Sequence, residues 1–225
     1  MEQDKVANLE EIRDEEKAAE FVLGGSLVEC IGGLAATVLA IMSLGLFLPT
    51  GLGAAAIIVI GLALLFDAAF LTARLPRLLA EVSTGEKEAE HFRGGITAEL
   101  LGGIIATILG ILCMAGIDAV MLMSYSAVVL GLALLLDSRV VSRLSVYAVH
   151  RPGEVAIRGS MTARLVQRAA DFQELCGIAV IVLGIVALLG HHAALLSMVA
   201  LLLIGLAAMF SGASLGWRML RLVHH

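Results

Sequence analysis

Five carboxylic acids lie inside or beside apolar stretches, at the ends of these stretches that are nearest the basic residues of the chain, where an ionisable side chain in an apolar setting is uncommon. They are Glu29, Asp67, Glu99, Asp137 and Glu174. A carboxyl group can bind a proton or a cation, and acidic residues within a membrane are functional candidates because an unpaired charge is costly in hydrocarbon. These five residues are therefore the candidate sites for ion or proton binding.

Two of the glutamates, Glu29 and Glu99, occur in the same spacing pattern, with one glycine four residues before and another four residues after. The four glycines are Gly25, Gly33, Gly95 and Gly103. Positions four apart share one helix face, and small residues on a face let membrane helices approach closely. The pattern predicts a helix-packing seam that holds each glutamate in a helix–helix interface.

A third, more diverged copy of this pattern follows. Its ELCG at 174–177 aligns with ECIG at 29–32 and with ELLG at 99–102, which makes Glu174 the third glutamate. The other seam positions in this copy are then Ala170, Ile178 and Val182. Because these side chains are larger than glycine, we expect the helix contact in the third copy to be looser or differently packed.

The elements that must position the carboxyls are six apolar segments. They cover residues 30–48, 51–66, 100–117, 119–136, 175–190 and 193–216. The chain is 60% hydrophobic and 16% charged, whereas soluble domains are about half apolar and a quarter charged. About 20 helical residues cross a hydrocarbon core of about 30 Å, and these segments lack the polar stripe of a soluble bundle. We predict an all-α membrane protein with six transmembrane helices.

The positions of the lysine and arginine residues predict the orientation of these helices. All 15 of them lie in the N-terminal tail, the two long connections and the C-terminus, and none lies in the three opposite turns. The positive-inside rule then places both termini and both long connections in the cytoplasm. The charged stretch at 83–95, which contains glycines, is expected to be a loop.

The chain contains an internal repeat. GLALLFD at 61–67 recurs as GLALLLD at 131–137 and, more diverged, as GLAAMFS at 205–211, with Ser211 in place of aspartate. This predicts three tandem two-helix hairpins in one orientation, with pseudo-threefold symmetry about the membrane normal. The predicted units are an acidic cytoplasmic tail at 1–20 and hairpins at 21–84, 94–150 and 169–223.

The depth of the carboxyls allows two interpretations. The apolar run after Glu99 spans nearly a whole hydrocarbon core, so the carboxyls should form a belt at its cytoplasmic edge, partly hydrated and near basic residues such as Arg74 and Arg139. In the first interpretation they cap helix termini or pair with arginines. In the second, Glu29, Glu99 and Glu174 converge on the pseudo-axis and bind a proton or cation.

Several functional classes lack the residues they need. Cys30, Cys113 and Cys176 are isolated and do not have the spacing of a zinc or redox motif. No phosphate-binding loop, nucleophile elbow or metalloprotease motif occurs. We predict no enzymatic activity, no cofactor and no metal site. The acidic tail, with eight aspartate or glutamate residues in the first twenty, lacks the basic surface that a nucleic-acid partner needs; the lipid bilayer is the expected partner.

The three two-helix units, each with a glycine-rich first segment and a GLALL-type second segment, resemble the HdeD-like acid-resistance membrane proteins. The resemblance covers residues 24–223 and is carried by the repeat layout and by GLALLFD and GLALLLD. It implies a small protein of the bacterial inner membrane, linked to acid stress and without catalytic activity. It assigns no functional residue, and it does not account for the acidic tail or for the glutamate–glycine pattern.

Three hypotheses about function remain open from the sequence. The first is a non-enzymatic membrane protein of stress or acid resistance, like the proteins it resembles. The second is a proton or cation channel or transporter with a ring of three glutamates. The third is a membrane enzyme, or an accessory or scaffold subunit that forms a homo-oligomer or binds a membrane-complex partner through the acidic tail.

Overall fold

The structure, a computed structural model, describes residues 27–45, 49–81, 86–147 and 159–223. These residues form six helices: α1 Leu27–Gly45, α2 Pro49–Glu81, α3 Glu86–Met114, α4 Ala119–Tyr147, α5 Gly159–Leu188 and α6 Ala193–Val223. All six are long and apolar enough to cross a membrane. The described part of the chain is therefore all-helical and compatible with a multi-pass membrane protein. The predicted acidic tail at 1–20 and Gly25 lie outside the described residues.

Five of the helices are longer than their apolar spans. The extra turns follow the span in α2, α4 and α6 and precede it in α3 and α5. Because consecutive helices run in opposite directions, all five extensions lie at one end of the bundle. They contain 10 of the 15 lysine and arginine residues. The loop expected at 83–95 is wrong from Glu86 onward, because glutamate, lysine and alanine favour helix and α3 already begins there.

Two tight turns at the opposite end of the bundle have the same conformation. Gly116 and Gly190 have φ angles of 83° and 86°, and Asp118 and His192 have φ angles of 35° and 43°. Glycine adopts such angles without steric cost. The carbonyl oxygens of Asp118 and His192 then accept the N–H four residues later, which starts α4 and α6. These short turns make α3–α4 and α5–α6 antiparallel hairpins.

The second helices of the hairpins occupy the centre of the bundle. Helices α2, α4 and α6 each contact the other two, while α3 packs between α2 and α4, and α5 packs between α4 and α6. Fully buried aliphatic side chains fill the space between the central helices; they include Ile57, Ile60, Leu130, Leu201 and Ile204. The core is therefore apolar over most of its length.

The first helices of the hairpins carry an apolar outer face. On α1 this face contains Ile31, Leu34 and Val38, each about half exposed, and on α5 it contains Ile178 and Val182. The three- and four-residue spacing of these side chains marks one side of a helix. In water such faces would expose large apolar patches, whereas in a bilayer they contact lipid.

Close contacts between glycines join neighbouring hairpins at three places, which we call the junctions. The facing pairs are Gly33 with Gly205 at the α1–α6 junction, Gly103 with Gly61 at the α2–α3 junction, and Gly177 with Gly131 at the α4–α5 junction. A Cβ atom added to the first residue of each pair would lie 2.8, 2.9 and 3.1 Å, respectively, from the carbonyl oxygen of the second. The backbones therefore touch at each junction, as expected for small residues on membrane helices.

Candidate functional site

Glu29 and Glu99 are buried inside the bundle. Their side chains are only 4% and 2% exposed, although both lie within the first four residues of their membrane spans. Gly33 and Gly103, one helical turn further on, bring α6 and α2 against the same helix face. The expectation of a partly hydrated carboxylate is therefore wrong for these two glutamates, because lateral helix packing excludes water at this depth.

Each junction has a pair of hydrogen-bonded polar side chains beside its glycines. At the α2–α3 junction the carboxyl groups of Glu99 and Asp67 are bonded to each other. At the α4–α5 junction the Gln173 Nε2 donates to the Asp137 Oδ2 at 2.7 Å. At the α1–α6 junction the Glu29 carboxyl is bonded to the hydroxyl of Ser211.

The four carboxyls of these pairs form one group, which we call the carboxyl cluster: Glu29, Asp67, Glu99 and Asp137. Glu29 interacts electrostatically with both aspartates, and Glu99 interacts with the other three members. Asp67 and Asp137 are half-buried, in contrast to the glutamates. Four helices from the first two hairpins thus bring four acidic groups together, and the third hairpin adds only neutral partners.

Gln173, not Glu174, occupies the position in α5 that Glu29 and Glu99 occupy in their helices. Gln173 lies four residues before the junction glycine Gly177 and is 2% exposed. Glu174 is half-buried, and the interactions of Glu29 and Glu99 are with other residues. The alignment of the third copy was therefore shifted by one residue. In the correct register the third hairpin has Gln173 where the other two hairpins have glutamate, and Ser211 where they have aspartate.

The corrected register also changes the predicted packing of α5. Ile178 and Val182 face outward with about half of their surface exposed, so they are not seam positions. Gly177 and Gly184 face α4 instead, and a Cβ on either would lie about 3 Å from α4 backbone oxygen atoms. The third copy is therefore differently packed, as one of the two alternatives expected, and not looser. The surroundings of Ala170 and Gly95 lie outside the described part of the chain.

The described surroundings of the cluster contain no cationic partner for it. In the described part of the chain the four carboxyls interact with each other, with Gln173 and with Ser211. The side chains of Arg74 and Arg139, predicted as basic neighbours, lie outside the described part. Among the described residues, no three histidine, cysteine or acidic side chains are placed to hold a metal ion. The observed geometry is thus that of carboxyls sharing hydrogen bonds.

Beyond the cluster the interior of the bundle is mostly apolar. The hydroxyls of Thr37 and Thr107 donate to carbonyl oxygens of their own helices, those of Gly33 and Gly103, at 2.8 Å, and a further polar contact lies near the turns. There the hydroxyls of Ser124 and Ser197 are hydrogen-bonded at 2.9 Å, fully buried between α4 and α6. About 20 Å of α4 separates Ser124 from Asp137 at 1.5 Å per residue. Fully buried aliphatic residues such as Leu130 and Ile204 lie between these two levels. The cluster is therefore confined to one end of the core.

Comparison of the chain with protein-family models, with curated proteins and with solved structures gives no match. The resemblance to HdeD-like proteins stays an expectation from the repeat layout. The chemistry of the carboxyl cluster is therefore the basis for a functional proposal.

Proposed function

We propose that the protein is a non-enzymatic, multi-pass protein of the bacterial inner membrane that binds and releases protons at its carboxyl cluster. The observation that carries this proposal is the hydrogen-bonded pair of Asp67 and Glu99 within a group of four interacting carboxyls. A role in acid stress, as in the HdeD-like proteins that the chain resembles, is the physiological setting that we propose for this chemistry.

The chemistry of the Asp67–Glu99 pair supports a bound proton. An ionised carboxylate has no hydrogen to donate and can only accept a hydrogen bond. Two carboxyl groups that are bonded to each other must therefore hold a proton between them. Adjacent buried carboxyls also repel each other when both are ionised. Two separate, hydrated carboxyl groups are both ionised at neutral pH. The folded chain should accordingly hold at least one proton more than they would.

The position of the cluster supports proton exchange with one side of the membrane. Asp67 and Asp137 are less buried than the two glutamates and lie near the ends of their spans, so this end of the bundle is the shortest route to water. The helical extensions that carry most of the basic residues continue beyond the same level. In the orientation that we propose from the positive-inside rule, this end and both termini face the cytoplasm.

Proton binding from one side is favoured over transport across the membrane. A transport path would have to continue from the cluster toward the turns, where about 20 Å of α4 faces a core that includes fully buried aliphatic side chains. Such residues offer no hydrogen-bonding group to a proton or to water. A cation would need several oxygen ligands, whereas the carboxyls of the cluster already bind one another, Gln173 and Ser211.

The pH dependence of stability tests the proposal. If the folded chain holds one proton more than the unfolded chain, its free energy of unfolding rises as the pH falls through neutrality. The expected slope is about 1.4 kcal/mol per pH unit for each extra proton. Denaturation of the detergent-solubilised protein at a series of pH values measures this slope. The Asp67→Asn variant should have a smaller slope than the native chain.

The matched control for this measurement is Asp118→Asn. Asp118 is an exposed carboxyl in the outer turn, and asparagine tolerates the left-handed backbone conformation found there. This variant should keep the slope of the native chain. A slope of the opposite sign, or a native slope that Asp67→Asn leaves unchanged, contradicts proton binding at the cluster.

The proposed orientation has a separate test with introduced cysteines. Leu189 lies in an outer turn and is 71% exposed, while Gly94 lies in the α3 extension with open space around its Cβ position. A membrane-impermeant thiol reagent added to intact cells should label Leu189→Cys. It should label Gly94→Cys only after the cells are permeabilised. The native chain gives the background labelling, and the reverse pattern of labelling contradicts cytoplasmic termini.

A further inference from the structure

The helical extensions beyond the membrane spans differ in charge between two sides of the bundle. The extensions of α2 and α3, at 71–81 and 86–95, contain four basic and four acidic residues. Those of α4, α5 and α6, at 139–147, 159–170 and 214–223, contain six arginines and no acidic residue. We call these three extensions the arginine face. Because α4, α5 and α6 pack against one another, the six arginine positions lie together on one side.

The arginines of this face are paired along each helix. The pairs are Arg139 with Arg143, Arg164 with Arg168, and Arg218 with Arg221. Positions three or four apart share one face of a helix, and like charges at that spacing destabilise it slightly. Each extension therefore carries a strip of two positive charges that a nearby anion would stabilise.

Most of these arginine positions lie beyond the depth of lipid headgroups. Arg143, Arg164, Arg218 and Arg221 lie five to eight residues outside their spans, which is about 8 to 12 Å at 1.5 Å per residue. The headgroup layer is about 5 to 8 Å thick on each side of the hydrocarbon core. The arginine face is therefore suited to an anionic partner in the water beyond the headgroups.

The acidic tail joins the bundle beside this face. Residues 1–20 contain eight acidic and three basic residues, and residues 21–26 connect them to α1, which begins at Leu27. This end of α1 lies at the same end of the bundle as the extensions, and α1 touches α6 where Gly33 faces Gly205. Six residues reach up to about 20 Å, whereas packed helices are about 8 to 10 Å apart. The tail can therefore reach the arginine face of its own molecule.

We propose that the acidic tail docks on the arginine face of the same molecule and covers that end of α4, α5 and α6. Single exposed ion pairs contribute little, but several pairs on a tethered segment act together at a high effective concentration. A separate anionic partner then reaches the arginines only by displacing the tail, so the tail regulates access to this face. The inference does not depend on proton binding at the carboxyl cluster.

A spin label in the tail tests the docking in the full chain. The label is attached to Asn8→Cys after Cys30, Cys113 and Cys176 have been replaced with alanine. The protein is studied in nanodiscs of zwitterionic lipid with one molecule in each disc, which excludes docking on a second copy. We expect a slowly moving label at low salt and loss of this slow component at about 1 M salt, where the Debye length is about 3 Å. A label that moves equally fast under both conditions overturns the proposal.

Two double variants with equal changes of charge locate the docking surface. Arg164→Glu with Arg168→Glu reverses the strip on α5, whereas Arg74→Glu with Arg77→Glu makes the same change on α2, outside the arginine face. The α5 variant should lose the slow component at low salt, and the α2 variant should keep it. Equal loss in both variants shows that only the total charge matters and overturns docking on the arginine face.

A charge exchange and a change of lipid complete the test. Adding Glu10→Lys and Glu11→Lys to the α5 variant places opposite charges against each other again and should restore the slow component. Failure to recover any of it contradicts a contact between the tail and α5. Native arginines should also hold the label in nanodiscs that contain anionic lipid. If anionic lipid alone releases the label at low salt, the arginines bind lipid headgroups and the proposal is overturned.

Discussion

Replacing Gly103 with alanine is expected to lower the free energy of unfolding by about 1 to 3 kcal/mol, because the added methyl group overpacks the α2–α3 junction. Its Cβ would lie 2.9 Å from the carbonyl oxygen of Gly61 and 3.1 Å from the amide nitrogen of Leu65. Both atoms belong to the backbone of α2, so no side-chain rotation can relieve the contact. Denaturation of the detergent-solubilised protein measures the loss.

The same substitution elsewhere on α3 provides the control. Gly94 has no atom within 4 Å of its Cβ position, and alanine is favoured over glycine inside a helix by up to about 1 kcal/mol. Gly94→Ala should therefore leave stability unchanged or increase it slightly. If the two alanine variants lose the same free energy of unfolding, the loss arises within α3 itself. The α2–α3 junction is then not a close backbone contact.

The six long helices were predictable from the sequence because the apolar runs alone determine them. Runs such as 100–117 and 193–216 are too long and too free of charge for a soluble helix. The apolar runs did not predict where the helices begin and end. Hydropathy detects the part of a helix that is apolar, whereas α3 begins at Glu86 in a charged sequence. Its residues favour helix by propensity, with no apolar signal.

The partners of the carboxyls were not predictable from the repeat. The sequence shows that Glu29 and Glu99 are equivalent, but it does not show which helix packs against each one. The pairing of Glu99 with Asp67 depends on contact between the second helix of one hairpin and the first helix of the next. Glu29 and Glu99 lie near the start of their spans, but their burial depends on this lateral contact, and so the expected hydration was wrong.

The one-residue error at Glu174 has a specific cause. The alignment matched glutamate with glutamate, which requires an offset of 75 residues from Glu99. The second helices of the same hairpins, at Gly131 and Gly205, are offset by 74. Applying that single offset to the whole hairpin leads from Glu99 to Gln173 and from Asp137 to Ser211. Residue identity was thus a weaker guide than constant spacing, because the third hairpin changes the chemistry at both polar positions.

Truncating the Glu99 side chain is expected to lower the free energy of unfolding more than replacing its carboxyl with an amide. Glu99→Ala leaves a cavity at a position that is 2% exposed and deprives Asp67 of its hydrogen-bond partner. Together these effects should lower the free energy of unfolding by about 3 kcal/mol. Glu99→Gln keeps the size of the side chain and supplies an amide donor to Asp67, as Gln173 does for Asp137. Its stability at neutral pH should stay within about 1 kcal/mol of the native value.

The pair of substitutions at Glu99 separates packing from proton binding. Glu99→Gln should retain the fold but lose the dependence of stability on pH, because an amide can bond Asp67 without a shared proton. Glu174→Ala is the matched control: it removes a half-buried glutamate outside the cluster and should change stability by less than about 0.5 kcal/mol. A larger loss from Glu174→Ala than from Glu99→Ala would place the third glutamate in the core and contradict the register of α5. A pH dependence that survives Glu99→Gln would show that the shared proton lies elsewhere.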